Sequence, residues 1–381
     1  MERTGVPAAA SVPAQVRLVV PDGLGYTSGG TVYNTRLAEA LRMLGAAVEV
    51  VGVPGAWPVG SAEDRRRLAA ALLPGGEPAH VLVDGLLALG APDEVASAVA
   101  AMRGGGGRFG ILVHLLLADA AGLSADEAER LAALERRALA AADVAMVPSG
   151  FSARRLTARY GMVPEVVRPG VAGGPPARGS LPDGRAPHVL CLAALLPGKG
   201  QLRLLRALAA LRDRPWTLTL AGYDAADPAY ARAVREAAAD LGIADRVRVP
   251  GELREGALEA EWSATDLTVL VSDPETYGLA VVESLARGVP AIVTSRTGAV
   301  EALGLSLEGG LGTAGAAVES PRETGRGAED PLVRELAGWL DDASVRARWR
   351  AAALAARPLL PGWESTGRAV LRALSLASAG S

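Results

Sequence analysis

The sequence predicts an α/β protein of two Rossmann-like domains, and three observations carry that expectation. The chain has 381 residues, more than a single core of ordinary size serves, so two domains of roughly 150–200 residues are expected. Each half alternates short apolar runs with segments of helical period, the pattern of a parallel sheet covered on both faces. Between the halves lies "RPGVAGGPPARGSLPDGRAPH" (Arg168–His188), dense in glycine and proline and without either periodicity, which reads as a linker.

Taken in order, the first half offers the strands "VRLVV", "VEVVGV", "HVLVDG", "FGILVH" and "DVAMVPS". Helices are expected over "VYNTRLAEALRMLG", near Ala91–Met102 and through "SADEAERLAALERRALAAA". The second half repeats the scheme with "HVLCLAAL", "WTLTLAG", "RVRVPG", "DLTVLVS" and "PAIVTS", each followed by a helical segment. Residues 1–176 are therefore expected to form one domain and 187–358 the other, with a helix over 361–378, after "RPLLPGW", crossing back to the first. No short-period repeat occurs, so the fold is a duplicated sheet and not a solenoid.

Half of the residues are apolar and the formal net charge is −3, which gives no reason to expect nucleic acid as a partner. Cys191, the single cysteine, sits in an apolar run, so no disulfide framework or cysteine-rich metal site is available, and a reducing compartment fits. The stretch "MERTGVPAAASVPAQ" lacks the apolar core of a secretory signal, and no run is long enough to span a bilayer; a cytoplasmic location is expected. The basic residues are almost all arginine, with Lys199 the one lysine, a bias that points to a GC-rich genome and draws attention to where lysine survives.

The stretch "PETYGLAVVESLARGVPAIVTS" places Glu275 in a turn after the strand "DLTVLVS" and Glu283 on the helix that follows. Ligands of open α/β sheets bind at the carboxyl ends of strands, where the next helix presents free N–H groups and the positive end of its dipole. Gly278 lets the backbone come close to a ligand, so the Gly278 and Leu279 amides suit a phosphate oxygen. Glu283 suits a pair of ribose hydroxyls. Carboxylates and phosphate repel, so acids are expected to address sugars and amides to address phosphates. The plainer alternative has Glu275 favouring the helix dipole and Glu283 exposed to solvent. At the edge of "HVLCLAAL", "PGKGQLRLL" sets Lys199 between two glycines at a helix start, placed to meet a diphosphate as a point charge; it does not fit the GxxxxGK[ST] phosphate loop.

These two segments resemble those of the retaining GT-B glycosyltransferases of family 4, also called group 1, with their P-x-K-G loop and E-x7-E motif enclosing an aromatic-Gly pair. Here they stand as Pro197-Gly198-Lys199-Gly200 and Glu275…Glu283 around Tyr277-Gly278. The likeness extends to Gly29-Gly30, to His114 and to "LERRALAAADVAMVPSGFSARRL". It implies the GT-B fold and transfer of a sugar from a UDP- or GDP-sugar to an unidentified small-molecule, lipid or glycan acceptor, without a metal or other cofactor. By resemblance, Lys199 binds the diphosphate, Glu283 the ribose and Glu275 the donor sugar near the reacting carbon. Tyr277, Gly278 and Leu279 line the sugar-phosphate, and Val249, Pro250 and Gly251 contact the base. His114 faces the donor sugar, and Gly29 and Gly30 close over the diphosphate. One departure is plain: many members carry an arginine five residues before the lysine, where this chain has Ala194, leaving Arg203 or Arg254 as candidate substitutes.

Read alone, His114 at a strand end is as well explained by a structural hydrogen bond. His80 and His188 open strands at the opposite edge and receive no role. No HxH, HExxH or DxD pattern occurs, so backbone amides, a helix dipole and Lys199 are expected to balance the diphosphate without a metal. The clusters "DRRR" and "SARRLTARYG" read as solvated helix faces, with peripheral contact to an anionic membrane as the alternative. The rival functions are an NAD-dependent oxidoreductase, from Gly23-x-Gly25 after the first strand and Glu49 at the end of the second, and a nucleotide-sugar epimerase or phosphorylase on paired Rossmann domains. The first has Ser28 where its third glycine belongs, and leaves Lys199 and the glutamate pair without a role.

Overall fold

The computed structural model describes residues 14–73, 80–120, 122–320 and 330–375. Most of the N-terminal stretch examined for a signal, and residues 376–378 of the expected last helix, lie outside them. The first unit runs β1 (Gln15–Asp22), α1 (Gly29–Met43), β2 (Ala47–Pro54), α2 (Ala62–Leu72), β3 (His80–Asp84), α3 (Gly85–Ala88), α4 (Pro92–Met102), β4 (Phe109–Leu112), α5 (Ala125–Ala141), β5 (Val144–Val147), α6 (Gly150–Tyr160) and β6 (Glu165–Val166). Its strands form one parallel sheet in the order β2-β1-β3-β4-β5-β6.

The second unit runs β7 (His188–Leu192), α7 (Gln201–Ala209), β8 (Thr217–Ala221), α8 (Pro228–Asp240), β9 (Val247–Gly251), α9 (Glu255–Ala264), β10 (Leu267–Leu270), α10 (Leu279–Ala286), β11 (Ala291–Thr294), α11 (Ala299–Gly304), β12 (Gly315–Val318), α12 (Pro331–Asp341), α13 (Ala343–Ala356) and α14 (Trp363–Ser375). A second parallel sheet results, ordered β12-β11-β10-β7-β8-β9. The strands read from apolar runs are all present. Two more, β6 and β12, escaped that reading because "EV" and "GAAV" are too short or too small-sided to stand out.

Local chemistry explains where the helices start and stop. Ser61 with Asp64 and Ser124 with Glu127 form capping boxes for α2 and α5, each satisfying two otherwise orphaned groups of the first turn. Proline opens α4, α8 and α12, where its missing N–H costs nothing. Each sheet is buried on both faces, so its central strands, such as "LTVL" of β10 and "FGIL" of β4, lie wholly inside.

Helix α14 leaves the second unit and packs on α1, adding Val370, Ala373 and Leu374 to a core containing Leu37 and Leu41. Gly367 allows the approach: a Cβ there would stand 2.9 Å from Leu44 Cδ1. Loops leaving the carboxyl ends of the two sheets touch one another, Ser149 after β5 reaching Thr276 after β10. The cleft between the units is therefore walled by the edges at which α/β sheets bind ligands. Among the described residues, no helix is long and apolar enough to cross a membrane.

Candidate active site

The Glu275 turn and the Lys199 loop are built as one unit. The Asp273 amide donates to the Gly198 carbonyl at 2.8 Å, and Gly200 is left-handed (φ 76°) against the end of β10, where a Cβ would stand 2.5 Å from the Val271 carbonyl oxygen. Lys199 is thereby carried to Glu275, its Nζ 3.0 Å from Oε2. Burial works to raise the Glu275 pKa, but the Lys199 charge and bond and the Tyr277 amide outweigh it, so the carboxyl is held below the ordinary glutamate range. An ionised Glu275 and a charged Lys199 thus share the floor of the cleft.

Directly beyond the turn, Gly278 adopts φ 88° as the N-cap of α10, and no side chain caps that helix. A Cβ at Gly278 would lie 3.2 Å from Ala299 Cβ, so a larger residue is opposed both by the space and by the left-handed backbone. The first-turn N–H groups of α10 face the cleft uncapped, the arrangement that receives an anion. One turn on, Glu283 is half-buried. Burial raises its pKa against the pull of Arg287 and Arg36, and no side-chain hydrogen bond ties its carboxylate among the described residues.

That combination gives a testable consequence. A carboxyl whose folded pKa is raised contributes stability below its unfolded pKa and loses it as the pH climbs through the folded value. Glu283→Gln is neutral throughout, so at neutral pH it should raise Tm, by about 2–4 °C per kcal/mol relieved. The same variant should bind nucleoside diphosphate more weakly. Calorimetric melting beside nucleotide titration checks both, and a lower Tm would show that the carboxylate is structurally required.

The first unit supplies the opposite wall. Ser28 caps α1 by accepting from the Thr31 amide, which places Gly29 and Gly30 in its first turn. A Cβ on Gly29 would lie 3.5 Å from Leu279 Cδ1, and one on Gly30 3.1 Å from the His114 ring. This glycine pair therefore sits between His114 and the start of α10. Asn34 Nδ2 donates to Asp84 Oδ2 at 2.5 Å, which turns Asn34 Oδ1 toward His114 Nε2, 3.0 Å away. Burial lowers the His114 pKa while Asp84 acts to raise it. The neutral ring then carries its proton on Nε2 and keeps Nδ1 as an acceptor. Tyr33 packs edge-on to His114 at 4.9 Å and is itself backed by Trp363 of α14 at 5.4 Å.

Contacts between the units involve residues to which the motifs gave no role. The Ser149 hydroxyl donates to the Thr276 carbonyl at 2.6 Å, within the turn that carries Glu275. Glu301 of α11 accepts from the Gly150 and Phe151 amides at 2.8 and 2.5 Å, a carboxylate of one unit at the N-terminus of α6 in the other. Gly298 lets α11 approach, since its amide donates to the Glu275 carbonyl at 2.8 Å and a Cβ would stand 1.9 Å from the Thr276 oxygen. Bonds to a charged group contribute about 1.5–3 kcal/mol each. Glu301→Ala should therefore shift the chain toward an open form, read as a larger radius of gyration in small-angle scattering; an unchanged radius would remove Glu301 from the closure.

Val249, Pro250 and Gly251 are the last three residues of β9, at its carboxyl end. Arg203 is held by Asp330 through two bonds of 2.8 and 2.7 Å and by the Glu319 carbonyl, and Arg254 by Glu252; neither stands free to replace the cation missing at Ala194. Glu49 is the third residue of β2 and pairs with Arg17 at 2.9 Å, so it lies away from the carboxyl edge where a dinucleotide's ribose would sit. His80 accepts from the Arg108 amide and His188 bonds Glu261 and Thr217, both structural. Each arginine of the two basic clusters has an acidic partner: Glu94, Glu63 and Asp64 for the first, Glu301 and Asp119 for the second. Cys191 is buried, its thiol pushed up to about 12. Among the described residues no group of three His, Cys, Asp or Glu could hold a metal ion.

A model of the glycosyl transferases group 1 family matches residues 177–354. Those residues form a group 1 glycosyl transferase domain. Lys199, Glu275 and Glu283 all lie inside it, whereas His114 and Gly29-Gly30 lie in the preceding unit. A GDP-mannose-dependent alpha-(1-6)-phosphatidylinositol monomannoside mannosyltransferase of Mycobacterium tuberculosis is 32% identical over 127 residues, covering 31% of this chain and 32% of that one. Its counterpart from Mycolicibacterium smegmatis is 31% identical over 190 residues, covering 45% and 48%. A D-inositol 3-phosphate glycosyltransferase of Thermomonospora curvata is 30% identical over 185 residues, covering 42% and 43%. The chain thus spans about a third to a half of the length of the curated relatives it matches. The sucrose-phosphate synthase of Thermosynechococcus elongatus superposes with a TM-score of 0.74 at 18% identity, over 94% of this chain and 98% of that one. An Anabaena HepE structure in complex with UDP-glucose does so with 0.69 at 18%, over 95% and 100%. With its two parallel six-stranded sheets, the chain has the two-domain GT-B fold.

Proposed function

We propose that this protein is a retaining glycosyltransferase that moves a sugar from a UDP- or GDP-sugar to an acceptor entering from the first domain, without a metal. The observation that carries the reading is the Lys199–Glu275 pair at the foot of the uncapped N-terminus of α10. Lysine and helix amides offer positive potential for a diphosphate, and the carboxylate beside them suits the hydroxyls of the attached sugar. Lys199 has three donors and can serve both groups. Glu283 would take the ribose, and His114 Nδ1 would accept from a hydroxyl of the donor sugar. Closure through Ser149 and Glu301 would exclude water and limit hydrolysis of the donor.

In this reading the sugar–phosphate bond breaks as the acceptor attacks from the same face, and the departing diphosphate takes the acceptor's proton. Lys199 and the α10 amides stabilise the charge that gathers on the diphosphate. Configuration is retained, and no strong protein base is needed. A cytoplasmic location belongs to the same proposal, since nucleotide sugars are its substrates. The relatives named as mannosyl- and inositol 3-phosphate transferases support a first acceptor panel of D-inositol 3-phosphate and phosphatidylinositol monomannoside. Each would be tried with UDP- and GDP-sugars, following nucleoside diphosphate release and product anomer by proton NMR. An α-linked product from an α-donor supports the proposal, and an inverted product contradicts it.

A further inference from the structure

At the far end of the cleft, Tyr26 of the first domain and Tyr223 of the second stack face to face, ring centroids 5.0 Å apart and planes 14° from parallel. Tyr26 lies in the loop between β1 and α1, where Gly23 and Gly25 both hold left-handed backbones with φ 73° and 74°. Tyr223 leaves the carboxyl end of β8. Beside it Glu252 follows β9, whose Gly251 carbonyl accepts from the Gly222 amide at 2.9 Å. Both rings are only half-buried, so the pair is not core packing. It is a contact between domains at the edge where ligands enter.

The neighbouring charges indicate what this end receives. Asp224 and Glu252 are the carboxylates here, each paired with an arginine, whereas Lys199 and the start of α10 lie beyond β7 and β10. Carboxylates repel phosphate, so this end suits the uncharged, planar portion of a ligand whose anionic portion lies at Lys199. We infer that Tyr26 and Tyr223 form an aromatic gate that parts to take the donor's nucleobase between the two rings. This inference rests on the nucleotide-sugar reading above. A base stacked on both faces needs the rings about 7 Å apart, so the loop carrying Tyr26 moves out by about 2 Å from the observed 5.0 Å. Stacking accepts any base, so the gate adds affinity for the nucleoside without choosing between uracil and guanine.

Calorimetric titration of the full chain with UDP, GDP and pyrophosphate tests it. Tyr26→Ala and Tyr223→Ala should each weaken UDP and GDP by roughly 5–150-fold, the range expected for loss of one base–aromatic stack. Tyr26→Phe and Tyr223→Phe should restore wild-type affinity, and pyrophosphate should bind all four variants as it binds the parent. Lys199→Ala should weaken all three ligands. If the alanine variants bind UDP and GDP normally while Lys199→Ala does not, the gate is wrong and the donor site stands. Phenylalanine variants as weak as the alanine ones, or alanine variants that lose pyrophosphate equally, would overturn stacking. A parent chain that binds neither nucleotide removes the donor site and the gate together.

Discussion

Lys199→Ala should lower kcat/KM for the nucleotide sugar by on the order of 10²–10³-fold, the loss expected when a charge-stabilising donor is removed from a desolvated site. Both components should move: donor KM rises because the ground-state diphosphate loses a cation, and kcat falls because charge on that diphosphate grows as the sugar departs. Neither Arg203 nor Arg254 is free to compensate, since both are held by acids. The variant also leaves buried Glu275 without its charged partner, so its pKa should rise toward or above the ordinary value once the lysine that lowers it is gone. Steady-state kinetics over a range of donor concentrations checks this, and unchanged constants would remove Lys199 from the diphosphate site.

Glu275→Gln should behave differently. It keeps the shape and removes the charge, so the donor sugar loses a strong acceptor while the nucleotide keeps its own contacts. Transfer should fall by roughly 10²–10³-fold, the scale of a lost transition-state electrostatic contact. The affinity for UDP or GDP should change little, because Lys199 is freed from its 3.0 Å partner. Turnover measured beside a calorimetric nucleotide Kd separates the two quantities. Equal losses in both would mean that Glu275 maintains the loop and does not address the sugar.

The parts of the site that are local in sequence were legible there. Lys199, Gly278 and Glu283 follow from a strand, a turn and a helix in succession, because strand ends and helix starts fix where backbone N–H groups are free. The alternating pattern likewise gave both sheets, since a strand buried on both faces announces itself as an apolar run. The closure was not legible. Ser149 meets Thr276, and Glu301 meets Gly150, only after the two domains have folded and met, and a serine or glutamate carries no trace of a partner far along the chain. Asn34 and Asp84 orient His114 by the same kind of long-range bond. Glu49 shows the converse error: the sequence pattern sets it at the end of the second strand, as in a fingerprint, but it is the third residue of β2 and pairs with Arg17.

The pH response follows from the two glutamates having opposite shifts. Glu275, held low, stays ionised as the pH falls, and its contribution to stability is lost only as the pH drops through that depressed value. Glu283, held high, is the first of the pair to take a proton on acidification, which would remove an acceptor for the ribose before the Lys199 pair is disturbed. Nucleotide affinity should therefore weaken on the acid side while the fold still holds, a separation that nucleotide titration at several pH values would reveal.

The most direct test is a thermal-shift panel of the full chain with UDP, GDP, ADP and NAD, because a ligand that binds the native state raises stability by RT ln(1 + [L]/Kd). The account predicts a rise in Tm with UDP or GDP that Lys199→Ala abolishes. A rise with NAD alone would contradict it and return the chain to the oxidoreductase reading.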